Sequence, residues 1–336
     1  MINHWPSLCA GLGIAALSLA APPASQLQYY EGVRMSMACA YAIEAYAGSG
    51  VDLRVVVEEA LDEVDRIDRL MSHYKADSPL SRLNREAARH AVSVDKELFD
   101  FIERSLRYTD ESDGAFDITV GPLMKAWGFF RGEHRVPDAG ELAGVRRRVG
   151  AGHVILNRET RTIAFDIEGV ELDLGGIAKG YAVDRVVELL RARHVTAALV
   201  SAGGSSIYGL GSPPARDAWE VTIQDPLDAS KVALSVALKD ASLSVAGSAE
   251  KSFAADGVTY THIMDPRTGQ PVQGMLSVAV VTPSATAGDA LDDAFFVLGT
   301  AASEEYLRRL RKVDVWFFLP AANRSWRAVH KHSGIG

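Results

Sequence analysis

Leu172-Asp173-Leu174-Gly175-Gly176-Ile177-Ala178-Lys179-Gly180 reads as a β-run that ends in two glycines and passes into a helix with a lysine in its first turn. Glycines allow the backbone to approach a ligand closely, and a helix N-terminus with a lysine suits a phosphate. The spacing matches neither the dinucleotide fingerprint nor the P-loop, and taken alone the stretch is equally an ordinary tight connection. Its surroundings decide the class. Upstream, Tyr29 to Ala47 alternates loosely as a strand or hairpin. From Val57 onward Ala60, Leu61, Val64, Ile67, Leu70 and Met71 fall at helical spacing, opposite Glu58, Glu59, Asp62, Glu63 and Asp65. A second helix is predicted from about 96 to 108, then β-rich runs at 154–156, 162–167 and 170–174. Downstream, the helix from about 178 to 193 is followed by strands near 197–200, 219–223, 232–238 and 276–281. A helix from Asp289 and a strand over 313–319 close the pattern. Helices and strands intermix without a regular βαβ beat, which reads as α+β.

Over 336 residues, 48% apolar and 23% charged is a globular mixture, which excludes whole-chain disorder. A formal net charge of −8 and no Lys/Arg run give no electrostatic reason to expect nucleic acid. Leu8 to Ala21 is apolar but too short to span a bilayer, and Ser18-Leu19-Ala20 before Pro22-Pro23 offers a small-residue cleavage site. The leading segment carries His4 where a Lys or Arg is usual. A secretory signal over 1–24 is therefore expected, with export to the periplasm or cell envelope, one domain over 30–325 and a short tail over 326–336. Cleavage would leave Cys39 as the sole cysteine, so no intrachain disulfide is expected.

The sharpest chemical signal is Asp289-Ala290-Leu291-Asp292-Asp293-Ala294-Phe295-Phe296-Val297-Leu298. As a helix it gathers Asp289, Asp292 and Asp293 at i, i+3 and i+4, with Leu291, Ala294, Phe295 and Leu298 on the core side. Like charges so placed repel by a few tenths of a kcal/mol, roughly, per pair; a hard divalent cation would remove that repulsion. An acidic first turn favoured by the helix dipole is the other reading. In Thr261-His262-Ile263-Met264-Asp265-Pro266-Arg267-Thr268-Gly269, His262 precedes a turn and is either a general base or a structural histidine. Ser72-His73-Tyr74, with Ser78 and Asn84, and Gly114 to Leu123 running into Trp127-Gly128-Phe129, supply rings for stacking or for core filling.

In order, these segments resemble the FAD:protein FMN transferase (ApbE) family over roughly residues 35–320. Met37-Ala38-Cys39, Ser72 to Asn84, Gly114 to Phe129, Asp173 to Asp184, His262 to Gly269 and Asp289 to Gly299 carry the likeness, and Ser201-Ala202-Gly203-Gly204 and Trp219 to Pro226 agree. The resemblance implies two intermixed α/β lobes with mixed sheets and a ligand cleft between them. It implies FAD as substrate, Mg²⁺ as cofactor, and FMN passed through a phosphoester to a Thr or Ser hydroxyl of an exported flavoprotein, with AMP released. That acceptor is the expected partner, and through it a membrane is brought near. Carried over by position, Met37, Tyr74, Ala115, Phe116, Asp117, Asp173, Lys179 and Met264 would line the FAD site. Asp289, Asp292 and Asp293, with the Gly176 carbonyl, would hold the metal. Lys179 would add a point charge and His262 would take the acceptor's proton.

The chain departs from the family pattern in places. Ala38-Cys39 follow Met37 where Gly-Thr is usual, and Val245-Ala246-Gly247-Ser248 stands where Thr-Ser-Gly-Asp is usual. Ser205 replaces an aspartate and Asp293 a threonine ligand. Two rival activities share the site: a Mg²⁺-dependent FAD pyrophosphatase in which water attacks, and a flavin-binding protein without catalysis.

Overall fold

The computed structural model describes residues 27–130, 132–248 and 251–334; the expected signal segment over 1–24 and Cys9 lie outside them. Eight strands form one sheet: β1 (Gln28–Ser36), β2 (Cys39–Ala47), β3 (Ala197–Ala202), β4 (Ser206–Leu210), β5 (Ala241–Gly247), β6 (Ser277–Thr282), β7 (Asp314–Ala321) and β8 (Ser325–His332). They lie side by side in chain order, each antiparallel to the next. The sheet is thus a meander interrupted by excursions. Residues 48–196 carry α1 (Leu53–Met71), α2 (Pro79–Glu86), α3 (Lys96–Glu111), α4 (Gly121–Ala126), α5 (Ala139–Arg146) and α6 (Ala178–Ala192), and α7 (Ala285–Arg309) follows β6. The α+β class holds, and every ladder among the described residues is antiparallel.

Strand alternation builds the two sides of the sheet. Val278, Val280 and Phe317 join the main core with the helices, while Ala279 and Phe318 join a second cluster. That cluster is closed by a hairpin, Trp219–Asp225 with Asp228–Leu238, through Trp219, Val221, Ile223 and Leu238. On the helix side α1 packs on β1 and β2, α6 on β3 and β4, and α7 on β5 and β6. Asp52 caps α1, accepting from the Val55 N–H at 3.2 Å, and Val57, Ala60, Leu61, Val64 and Ile67 form its buried stripe. Burying each large apolar side chain of this kind contributes about 1.5–3 kcal/mol. α7 begins earlier than expected, at Ala285, and Gly299 interrupts it with φ +67°.

Two expectations are corrected. The run over 170–174 is largely buried but joins no sheet. The Asn84 side-chain amide takes the place of a neighbouring strand, donating to the Leu172 carbonyl at 2.9 Å and accepting its N–H at 2.8 Å. The Asp173 N–H donates to the Ile118 carbonyl at 2.7 Å. Nor do the described residues of 326–336 form a tail. Residues 325–332 form the edge strand β8 on β7, where Trp326 meets Phe318 edge-on at 5.3 Å and His330 stacks on Trp316 at 4.4 Å. Cross-strand ring pairs of this sort stabilise a short ladder whose residues otherwise look polar.

Candidate active site

The acidic helix and the glycine turn meet. A Cβ at Gly176 would collide with Asp293 Oδ2 and come within 3.5 Å of the Phe116 ring, so only glycine lets that carboxylate stand against the turn's backbone. One turn on, Gly180 lets α6 press on α7: a Cβ there would run into the Ala285 carbonyl and the Asp289 carboxyl. Asp289 is 4% exposed. Its Oδ2 accepts the Gly180 N–H at 2.6 Å and its Oδ1 the Ser206 hydroxyl at 2.6 Å. One side chain therefore ties α7 to the start of α6 and to β4.

Charge is concentrated here. Burial pushes the Asp289 carboxyl above its ordinary range, opposed by the Lys179 charge. Asp292, 5% exposed, is pushed well up, by burial first and then by the neighbouring Asp293 and Asp289. Lys179 opposes that rise too and donates to the Ser205 hydroxyl. Ser205, the departure from the family pattern, thus serves as the lysine's acceptor. Among the described residues no three Asp, Glu, His or Cys side chains form a finished metal-binding group. The donor set still fits a hard cation: it is all oxygen, and a buried carboxylate crowded by two others is the repulsion such an ion relieves. Asp292, Asp293 and the backbone at Gly176 could take part, with Asp289 the member most firmly tied to the frame.

A second group surrounds Asp173, which is buried. Burial alone would raise its carboxyl, but the His73 hydrogen bond and charge, and the Gly175 N–H at 2.8 Å, hold it below the usual range. Tyr74 stacks on Phe130 at 4.9 Å and 11°, and burial together with Asp173 pushes its hydroxyl up to about 12. His262 sits just after the strand Val258–Thr261, its Nδ1 3.3 Å from the Lys251 carbonyl. The His262 backbone N–H also donates to the Lys251 carbonyl at 3.0 Å, so the histidine's backbone and ring are both held on that residue.

The remaining expected residues frame the site. Met37 occupies the β1–β2 turn at φ +49° and its sulfur accepts from the Tyr41 hydroxyl at 3.1 Å. Met264 is buried with Trp127 and Phe129, and the Trp127 indole N–H donates to the Gly269 carbonyl at 2.9 Å. Ala115 is buried, and Phe116 is buried with its ring against the glycine turn. Asp117 differs from the rest, because its Oδ1 accepts both the N–H and the hydroxyl of Thr119 at 2.7 Å, a local turn. Sequence reading passed over Ser206 as a partner of Asp289, and over Asp184. Asp184 accepts from the Ala285 and Thr286 N–H groups at 2.8 and 3.0 Å and from the Ser284 and Thr286 hydroxyls at 2.7 and 2.6 Å. The usable signal was position: Gly180 and Asp184 are i, i+4 and share the helix face that meets α7.

Residues 37–317 match the ApbE family. The chain belongs to that family. Among its ApbE relatives, the FAD:protein FMN transferase of Treponema pallidum is 36% identical over 284 residues, covering 80% of this chain and 78% of the relative. The FAD:protein FMN transferase of Escherichia coli K12 is 32% identical over 262 residues, 75% of this chain and 73% of the relative. The crystal structure of the ApbE protein from Thermotoga maritima superposes with a TM-score of 0.81 at 29% identity, covering 89% of this chain and 97% of its own. The apo flavinyl transferase ApbE of Pseudomonas stutzeri gives 0.81 at 26%, covering 91% and 95%.

Proposed function

We propose that this chain is an exported flavinyltransferase that moves FMN from FAD to a Thr or Ser hydroxyl of an acceptor flavoprotein, with Mg²⁺ as cofactor and AMP as the leaving product. The observation that carries the reading is the meeting of the acidic helix, the glycine turn and Lys179 in one buried, oxygen-rich corner of an ApbE-family chain. Phosphoryl transfer from a diphosphate is mostly positioning and charge neutralisation, and this corner supplies both.

Asp289, Asp292, Asp293 and the Gly176 carbonyl would hold Mg²⁺, which would supply neutralisation of the diphosphate's negative charge. Lys179 adds a fixed positive charge beside it. Tyr74, Asp173, Phe116 and Met264 would bind and orient the dinucleotide. The acceptor oxygen bonds to the FMN-side phosphorus, the bond to the bridging oxygen breaks, and AMP leaves with that oxygen. His262 takes the acceptor's proton: donation from Nδ1 to the Lys251 carbonyl selects the tautomer with its lone pair on Nε2.

The test is incubation of the purified chain with FAD, Mg²⁺ and a purified flavoprotein domain bearing a Thr or Ser acceptor. Flavin fluorescence on the acceptor in a denaturing gel, lost in EDTA, is the expected result. Free FMN and AMP with no labelled acceptor would replace the reading by hydrolysis.

A stability measurement checks the cation separately. Asp289 and Asp292 have raised carboxyl pKa values in the folded chain, so their contribution to stability is full below the unfolded carboxylate range near ~4 and is lost as pH rises through the folded values. Mg²⁺ favours the ionised forms. The rise in Tm on adding Mg²⁺ is therefore expected to be larger at pH 8 than at pH 5. Equal shifts at both would detach the ion from these carboxylates.

A further inference from the structure

His73 is the buried partner of Asp173. Its Nδ1 lies 3.2 Å from Asp173 Oδ1, the same oxygen that accepts the Gly175 N–H, and its side chain is 3% exposed. Its ring packs on Phe130 at 4.6 Å and 24° and on Tyr74 at 4.4 Å, while Tyr74 keeps 55% of its surface exposed. The three rings thus form one cluster, with an open tyrosine and a sealed imidazole.

The sealed imidazole carries a cost. His73 Nε2 is buried with no hydrogen-bond partner, an arrangement that native interiors avoid. A phenylalanine would stack equally well on Phe130 and Tyr74 and would bring no orphaned nitrogen. Packing therefore does not explain a histidine here; the hydrogen bond from Nδ1 does. The backbone carrying it is pinned, since the Ser72 carbonyl accepts from the Ser78 and Ser81 hydroxyls and the Ser72 hydroxyl accepts from the Tyr74 N–H at 3.3 Å. A ring on a fixed backbone, clamped by two others, holds its nitrogen in one place. A buried carboxylate gains most from such a preset donor, because charge-assisted bonds are strong and an unpaired buried charge is expensive.

We infer that His73 is a positioning residue of the dinucleotide site, acting through Asp173 by fixing that carboxylate's orientation toward FAD. The inference rests on FAD being the substrate, as proposed above. His73 touches no reacting atom, so its loss weakens binding, and the effect falls on the KM for FAD rather than on kcat.

Two replacements separate bond from ring. His73→Phe keeps the stack and removes the donor; His73→Asn removes the ring and keeps an amide N–H near the place of Nδ1. With FAD as the probe in EDTA, where no turnover occurs, calorimetry is expected to show His73→Phe binding about tenfold more weakly. His73→Asn is expected within about threefold of wild type, and in an Asp173→Asn background His73→Phe should add no further loss. That last comparison decides the matter if His73→Phe alone folds poorly. A His73→Phe chain that binds FAD as tightly as wild type, or the same further loss in both backgrounds, would overturn the inference while leaving the flavin site standing. A wild-type chain that takes up no FAD would overturn both.

Discussion

Asp289→Ala is expected to cut FMN transfer by at least about 10²–10³-fold, the loss typical when one preorganised charge-stabilising group is removed from a phosphoryl or acyl site. The carboxylate does two things at once. It contributes the negative charge that a cation at the head of α7 requires, and it fastens α7 to the Gly180 N–H and the Ser206 hydroxyl. Removing it leaves those two buried donors without an acceptor, at about 1–3 kcal/mol each. The variant should therefore be less stable as well as inactive, and raising Mg²⁺ should not rescue it. AMP release followed by chromatography across a Mg²⁺ titration, with circular dichroism confirming the fold, measures the effect. Undiminished AMP release would remove Asp289 from the chemistry.

Asp184→Ala is the largest stability effect expected outside the site. Its carboxylate receives four hydrogen bonds at the start of α7, two from backbone N–H groups that have no partner inside the helix. Ser284 caps the same end by accepting the Ala287 N–H at 3.2 Å, but it does not reach Ala285 or Thr286. Loss of a cap and of charge-assisted bonds to it is worth about 2–4 kcal/mol. For a domain of this size that is a fall in Tm of roughly 3–6 °C. Asp184→Asn, which keeps one acceptor, should recover part of it. A Tm within a degree of wild type for Asp184→Ala would show that α7 is held by its buried face alone. Because α7 carries Asp289, Asp292 and Asp293, the same variant should also weaken Mg²⁺ binding.

Where sequence and structure agree, local pattern was strong. The helical stripe from Val57 to Met71, the Tyr29–Ala47 hairpin and the helix that starts after Gly175-Gly176 were all legible. Strands β4 and β5 were not, because Ser206–Leu210 is short and buried on both faces, and Ala241–Gly247 buries its serines together with its apolar residues. The run over 170–174 had the alternation of a strand and was satisfied instead by Asn84, a partner far away in sequence. The same holds in the site. Asp289 and Gly176 carried local signals, whereas the His73–Asp173 pair and the Asp184 cap depend on residues joined only by the fold. Asp117 shows the converse, since a carboxylate in a suggestive motif is largely engaged in its own turn.

A crystal of the chain grown with FAD and magnesium would examine the central claim most directly. The account requires a six-coordinate ion with oxygen ligands near 2.0–2.1 Å, drawn from Asp289, Asp292 or Asp293 and the Gly176 carbonyl, and touching the dinucleotide's phosphates. Bound FAD with its phosphates turned away from α7, and no ion beside those carboxylates, would contradict it.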